Sequence, residues 1–252
     1  IEFRGGQQSD QQREAVANVT NELATDRTPL VHTETRDVRF SERGTATGRR
    51  RAANDPDTAD ARQALANYAV ELEAHVDEFQ GDPGYAYVAD QTDTETDAVL
   101  ESVEWSLTPG RVYELDYEAS IVAGRSTFAA EGITPEAVSV GPTTDPMLRV
   151  DGVACPGMRD YRVATSIGVE VNAVFNRETA ENNDVIPQEG RQRQVSFEGV
   201  HTGPRDVRAT ADAALNDLLA TKENVTLETT FPGYNMDGFV VGYSSTFSQD
   251  RS

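Results

Sequence analysis

Lysine is almost missing from this chain, with Lys222 the single one among 22 basic residues. Cysteine is reduced to Cys155, which excludes an intramolecular disulfide and any thiolate zinc cluster. The three histidines, His32, His75 and His201, are too scattered to mark a metal or acid–base centre. There is no HExxH, GxSxG, phosphate loop or dinucleotide fingerprint, so the common catalytic and nucleotide-binding classes lack their markers. No run approaches the ~20 apolar residues that a membrane span needs, and no signal peptide is visible. The start at Ile1-Glu2-Phe3, without methionine, leaves a removed leader open.

What is abundant is negative charge. Forty-three acidic residues give a formal charge of -21, and arginine supplies all the positive charge except Lys222. At molar salt the Debye length falls to about 3 Å, so surface carboxylates no longer repel one another and keep the chain hydrated. Long lysine stems would add apolar surface instead. With its many Ala, Thr, Val and Gly residues, the composition resembles that of a haloarchaeal or haloarchaeal-virus protein. Halophilic adaptation already accounts for this charge, which limits what it says about partners, but a general grip on duplex DNA by basic residues is not expected.

The organising stretch is 57–122. Asp57 is the expected N-cap of a helix, with Asp60 adding charge to its first turn. Ala61, Leu65, Tyr68, Ala69, Leu72, Val76 and Phe79 recur at spacings of three and four on one stripe. Gly81 and Pro83 then end the helix. After an acidic loop Val103, Trp105 and Leu107 alternate with polar residues, and Pro109-Gly110 turns the chain. Tyr113, Leu115, Tyr117, Ala119 and Ile121 follow, alternating with Glu114, Asp116, Glu118 and Ser120, as in a half-buried strand of roughly 30 Å. A helix beside such a hairpin predicts a sheet covered on one face.

Upstream, Ala15, Val16, Val19 and Leu23 are spaced for a modest helix, and residues 28–40 read as extended. Residues 124–146, with Pro135, Pro142 and Pro146, read as a linker and a domain boundary. Strands are expected at 147–153, 162–175 and 194–200, with turns at Asn182-Asn183-Asp184 and Glu189-Gly190. A second helix at 206–221 follows, then a strand through Val225, Leu227 and Thr229, a turn at Pro232-Gly233, and a closing strand at 239–247. Both halves thus run from an extended segment through a glycine-bracketed loop (44–48 and 199–203) to a helix, a strand, a Pro-Gly turn and a final strand. Internal duplication is the expectation, with modules at 1–130, including an N-terminal extension, and 131–252.

Each weak chemical candidate has a plainer reading beside it. Asp90, Asp93, Glu95 and Asp97 offer oxygens for a hard cation but lack the EF-hand glycine and glutamate, so a solvated loop is the default. His75 borders the apolar stripe, and Cys155 reads as a buried or neutral thiol. Arg49, Arg50 and Arg51 read as a solvated loop or a subunit ion-pair site before a phosphate site. Tyr85, Tyr87, Trp105 and Tyr113 suggest a sugar platform, although strand-spaced aromatics more often belong to a core or interface. Asn18 and Asn224 begin glycosylation sequons by pattern alone.

The layout of Arg36-Asp37-Val38-Arg39-Phe40, the helix from Ala59 to Gln80, Gly81-Asp82-Pro83-Gly84-Tyr85, and the segment from Leu100 to Leu107 with Trp105 resembles tail-tube-fold proteins of tailed viruses. The likeness is to distal-tail and baseplate-hub proteins, and it covers roughly residues 28–122 and, more faintly, 190–250. It implies an α+β, mainly antiparallel fold: tandem tail-tube-like β-barrel or sandwich modules, each flanked by one helix. It also implies a non-enzymatic virion protein, a homo-oligomeric ring of three or six chains. Such a ring contacts tube and fibre or spike components, and genome DNA passes through its lumen without specific binding. No catalytic residue, metal or cofactor is carried over. The alternatives are a major tail tube or tail-completion protein and, in another class, a calcium-dependent carbohydrate-binding cell-surface module.

Overall fold

The computed structural model of the chain describes residues 8–20, 30–48, 60–77, 85–89, 94–107, 110–111, 113–126, 137–143, 145–172, 184–187, 192–221 and 224–246. The fold is α+β and mainly antiparallel β, with three sheets and two helices among these residues. The large sheet takes its strands in the order β1(Gln8–Thr20), β2(Leu30–Thr47), β5(Glu114–Ala123), β4(Thr94–Leu107), β9(Met158–Ser166) and β12(Gln192–Gly199). A seventh, β3(Tyr85–Ala89), pairs with the start of β4. Every adjacent pair in this sheet is antiparallel.

The two faces follow from period-two alternation. In β5, Leu115, Tyr117, Ala119 and Ile121 turn inward and are buried, while Glu114, Asp116, Glu118 and Ser120 turn outward. Val103, Trp105 and Leu107 of β4 and Tyr161, Val163 and Thr165 of β9 continue the inner face. Across it lies α1(Ala61–Asp77), whose Leu65, Tyr68, Ala69, Leu72 and Val76 are all buried. At ~25 cal/mol per Å² each large side chain gains about 1.5–3 kcal/mol there. The cap is Asp60 rather than Asp57, which lies outside the described residues. Asp60 Oδ1 accepts from the Arg62 amide at 2.8 Å, and its carbonyl accepts from Ala64 at 3.0 Å.

Two smaller sheets flank this core. The first joins β10(Val169–Asn172), β11(Asp184–Pro187) and β6(Arg125–Ser126), with β11 parallel to β6. It sets Val169, Val171 and Val185 on Val99 and Val122, beside a bulge at Leu100/Ser102. The second joins β14(Asn235–Gly238), β13(Val225–Thr229), β7(Leu148–Val150) and β8(Val153–Cys155). Its Leu148, Val150 and Val225 receive Leu215 and Leu218 of α2(Arg205–Thr221).

Several expectations change. Residues 8–20 form a strand, not a helix, because pairing along β2 overrides a weak helical spacing. Gly44 to Thr47 is the end of β2, not a loop. Gly48 is required there because a Cβ would sit 2.2 Å from the Ala61 carbonyl oxygen. Thr94 to Asp97, expected in an acidic loop, pairs with β3, while Asp90 and Asp93 lie outside the described residues. Residues 147–153 are not one strand: Asp151 and Gly152, at φ 49° and 78°, turn β7 back into β8. Nor is 137–141 a linker. Gln63 of α1 donates to the Val138 carbonyl and accepts from the Val140 amide, and Arg62 donates to the Gly141 carbonyl at 2.5 Å. Residues 239–246 carry no strand and run to α2, where the Tyr243 hydroxyl donates to Asp212 at 2.8 Å.

Strands from both sides of residue 130 share the large sheet through the β4–β9 pairing, and Tyr161, Val163, Phe231 and Tyr234 share one core with α1. No sheet closes into a barrel among the described residues. The expected repeat of element order is not seen among the described residues: two strands precede α1 and four follow it before residue 130, whereas six precede α2 and two follow it. The packing differs as well: α1 is buried against the large sheet, while no described residue of α2 is buried.

Candidate functional site

The most concentrated chemistry is a carboxylate inside the core. Glu73 has no exposure, and its position between Ala69 and Val76 puts it on the apolar stripe of α1. Oε1 accepts from Trp105 Nε1 at 2.9 Å and from the Tyr234 hydroxyl. Oε2 accepts from Thr165 Oγ1 at 2.9 Å and from Arg193 Nε at 2.6 Å. These donors come from β4, β9 and β12, three consecutive strands, and from the turn before β14. Thr165 and Arg193 stand directly opposite each other in register. The Arg193 guanidinium also lies 4.4 Å from the centre of the Tyr234 ring, a cation–π distance. Burial, with the negative charge of Glu73 second, pushes the Tyr234 hydroxyl far above the ordinary phenol range; burial does the same to Tyr161.

A buried charge is tolerated only when paired and hydrogen-bonded, and here both conditions are met. The arrangement fixes a helix to a sheet. Trp105 packs against Tyr161 and Phe231, so the hub is enclosed by rings. Arg62 is a second enclosed charge: its guanidinium lies 5.9 Å from the Phe231 ring centre, and burial, opposed by Asp60, lowers its pKa.

The second feature is the outer face of the large sheet. Ser41, Ser120, Ser102 and Ser166 stand in register across β2, β5, β4 and β9. The next row reads Arg43, Glu118, Glu104, Ala164, and the one after it Thr45, Asp116, Ser106, Arg162. Glu118 and Glu104 are directly opposed, which is unfavourable by itself. Arg162 offsets it at 3.0 Å from Glu104, and Arg43 lies 3.9 Å from Glu118. Thr45 Oγ1 donates to Asp116 at 2.5 Å. The result is a polar wall of small and charged side chains across four strands.

The residues singled out from sequence do not converge. Trp105 is buried against Glu73 and Tyr113 is half exposed beyond the start of β5, so these two form no shared platform. Tyr85 and Tyr87 pair with Ala98 and Thr96 through β3. Asp97 accepts from the Gly124 amide through its backbone carbonyl at 2.8 Å. His32 is in β2, His75 is buried on α1 with Nδ1 donating to the Glu71 carbonyl at 2.7 Å, and His201 follows β12. Cys155 is partly buried in β8, and burial raises its thiol pKa. Arg49, Arg50 and Arg51 lie outside the described residues. Asn18 is within β1, opposite His32, and Asn224 precedes β13. Among the described residues no group of three or more His, Cys, Asp or Glu side chains is arranged to hold a metal, and no helix is long and apolar enough to cross a membrane.

Sequence reading missed Glu73, Thr165 and Arg193. The signal for Glu73 was present, a carboxylate inside an apolar stripe at four residues from Ala69 and three from Val76. Nothing in the sequence identified Arg193 as its partner 120 positions away. No protein-family model matches this chain, and no curated protein matches it either.

Proposed function

We propose that this chain is a structural assembly protein whose large sheet is completed by other copies of itself. The particular assembly we infer is a ring at the distal tail or baseplate hub of a haloarchaeal tailed virus, continuing the tail tube and carrying no enzymatic activity. The observation that carries this reading is the sheet's two free sides: among the described residues β1 pairs only with β2, and β12 only with β9. Unpaired strands of this length invite further pairing. The path from β1 to β12 alternates direction at every step and holds an even number of strands, so β1 and β12 run oppositely. A β12 edge meeting the β1 edge of a neighbour therefore continues the antiparallel order, and a head-to-tail join of this kind closes into a ring.

The two faces fit that arrangement. One is covered by α1, and the other is the serine and charged wall, suited to a lumen past which DNA moves without being held. Within this reading the tail-tube-like barrel is formed between copies. One sheet shared by both halves of the chain favours six copies over three, with tube and fibre or spike proteins as neighbours. The composition supports a molar-salt source.

Electron microscopy of the purified protein in molar KCl tests the proposal. Closed rings of six or three chains are expected. A stack of identical rings along a tube would move the assignment to a major tail tube protein. A strictly monomeric particle at high concentration would overturn it, and calcium-dependent glycan binding by that monomer would select a cell-surface module instead.

A further inference from the structure

The side of β12 left unpaired among the described residues belongs to a strand held from beneath by one charged side chain. Gln192, Gln194, Ser196 and Glu198 are exposed, while the inward row of Arg193, Val195 and Phe197 is only half-buried, so β12 has no fully buried anchor of its own. Val195 and Phe197 lie partly covered against the core. Arg193 differs, because its guanidinium passes under the sheet to a carboxylate with no exposure and stacks against Tyr234.

Glu73 is positioned independently of β12. Trp105 of β4 and Thr165 of β9 donate to its two oxygens, and Tyr234 reaches it from the turn before β14. Were β12 to leave, those three neutral donors would stay, but the buried carboxylate would lose the Arg193 guanidinium. Neutral donors do not supply the counter-charge that a low-dielectric site demands. To the loss of the β9–β12 ladder and of the Val195 and Phe197 packing, detaching β12 thus adds the cost of separating one buried ion pair.

We propose that the Glu73–Arg193 pair is a latch that holds β12 in place as the sheet's edge. With the latch broken, β12 opens as a local unit and leaves the core folded, and the ring contact is lost with it. Arg193 is a positioning residue in this scheme, acting through the strand that carries it. The consequence for rings rests on the assembly reading above, whereas the latch itself is a property of the single chain.

Hydrogen exchange read by mass spectrometry on the full chain in molar KCl separates the two. In Arg193→Met, amides of residues 192–199 are expected to exchange at least about tenfold faster, while those of β4 and β5 keep their protection. Adding Glu73→Gln to that variant removes the uncompensated charge and is expected to restore part of the β12 protection. Arg193→Lys, which keeps the charge with a different reach, covers the case in which Arg193→Met fails to fold and is expected to fall between it and the parent. An equal rise in exchange across all strands, no change at β12, or no recovery in the double variant would each overturn the latch. Electron microscopy of the same variants then reads the consequence: loss of rings with a folded core is expected. Absence of rings from the parent protein sinks the assembly reading and leaves the exchange result to decide the latch.

Discussion

Glu73 shows what a single residue does here. Removing one partner of a buried, hydrogen-bonded ion pair costs about 3–5 kcal/mol, because the other is left uncompensated. Glu73→Ala is expected to lower stability by that amount in urea melts in molar KCl. Glu73→Gln keeps an acceptor for Trp105 and should retain more stability than Glu73→Ala. A loss under about 1 kcal/mol in the alanine variant would mean that the hub adds little. Tyr161 and Tyr234 give a pH dependence of definite sign. Burial raises both phenols above their ordinary value near 10, so their contribution is complete below about pH 10. Above it the unfolded tyrosines release protons that the native ones keep, and stability falls by about 1.4 kcal/mol per pH unit for each group. The decline continues until the native phenols themselves ionise. Urea melts between about pH 10 and 12 should show this slope, and Tyr161→Phe should reduce it by about half.

The two helices carry unequal weight. Leu65 and Leu72 of α1 are fully buried, whereas Leu215 and Leu218 of α2 are only partly covered. Large-to-small changes cost about 2–5 kcal/mol in a packed core and less where solvent already reaches the site. Leu72→Ala is therefore expected to cost several times what Leu218→Ala costs, measured by chemical denaturation. Equal costs would mean that α2 is packed as tightly as α1. Much of this level is legible in the chain. The α1 stripe and the β5 alternation are read directly, since a helix and a half-buried strand impose periods of 3.6 and 2 on their apolar residues. The β7–β8 turn was missed, since 147–153 read as one strand, although Asp151-Gly152 is a dipeptide that tolerates left-handed conformations at both positions. The strand at 8–20 was not legible, because its conformation is dictated by a partner rather than by its own spacing.

For the whole molecule, charge sets the conditions under which the rest holds. With a net charge of -21, self-repulsion grows as the Debye length rises from about 3 Å at 1 M salt to about 10 Å at 0.1 M. The melting temperature is expected to rise with KCl between about 0.1 and 3 M. A flat salt dependence would remove the halophilic reading. Composition, the absence of catalytic motifs, the α1 stripe and the strand alternation were determined by the sequence alone, because each is a count or a period along the chain. The union of both halves in one sheet, the unequal burial of two similar helices and the meeting of Glu73 with Arg193 were decided by tertiary structure. Sheet pairing between β4 and β9, and contacts across a core, join residues whose separation in sequence carries no local signal, so only the packed chain brings them together.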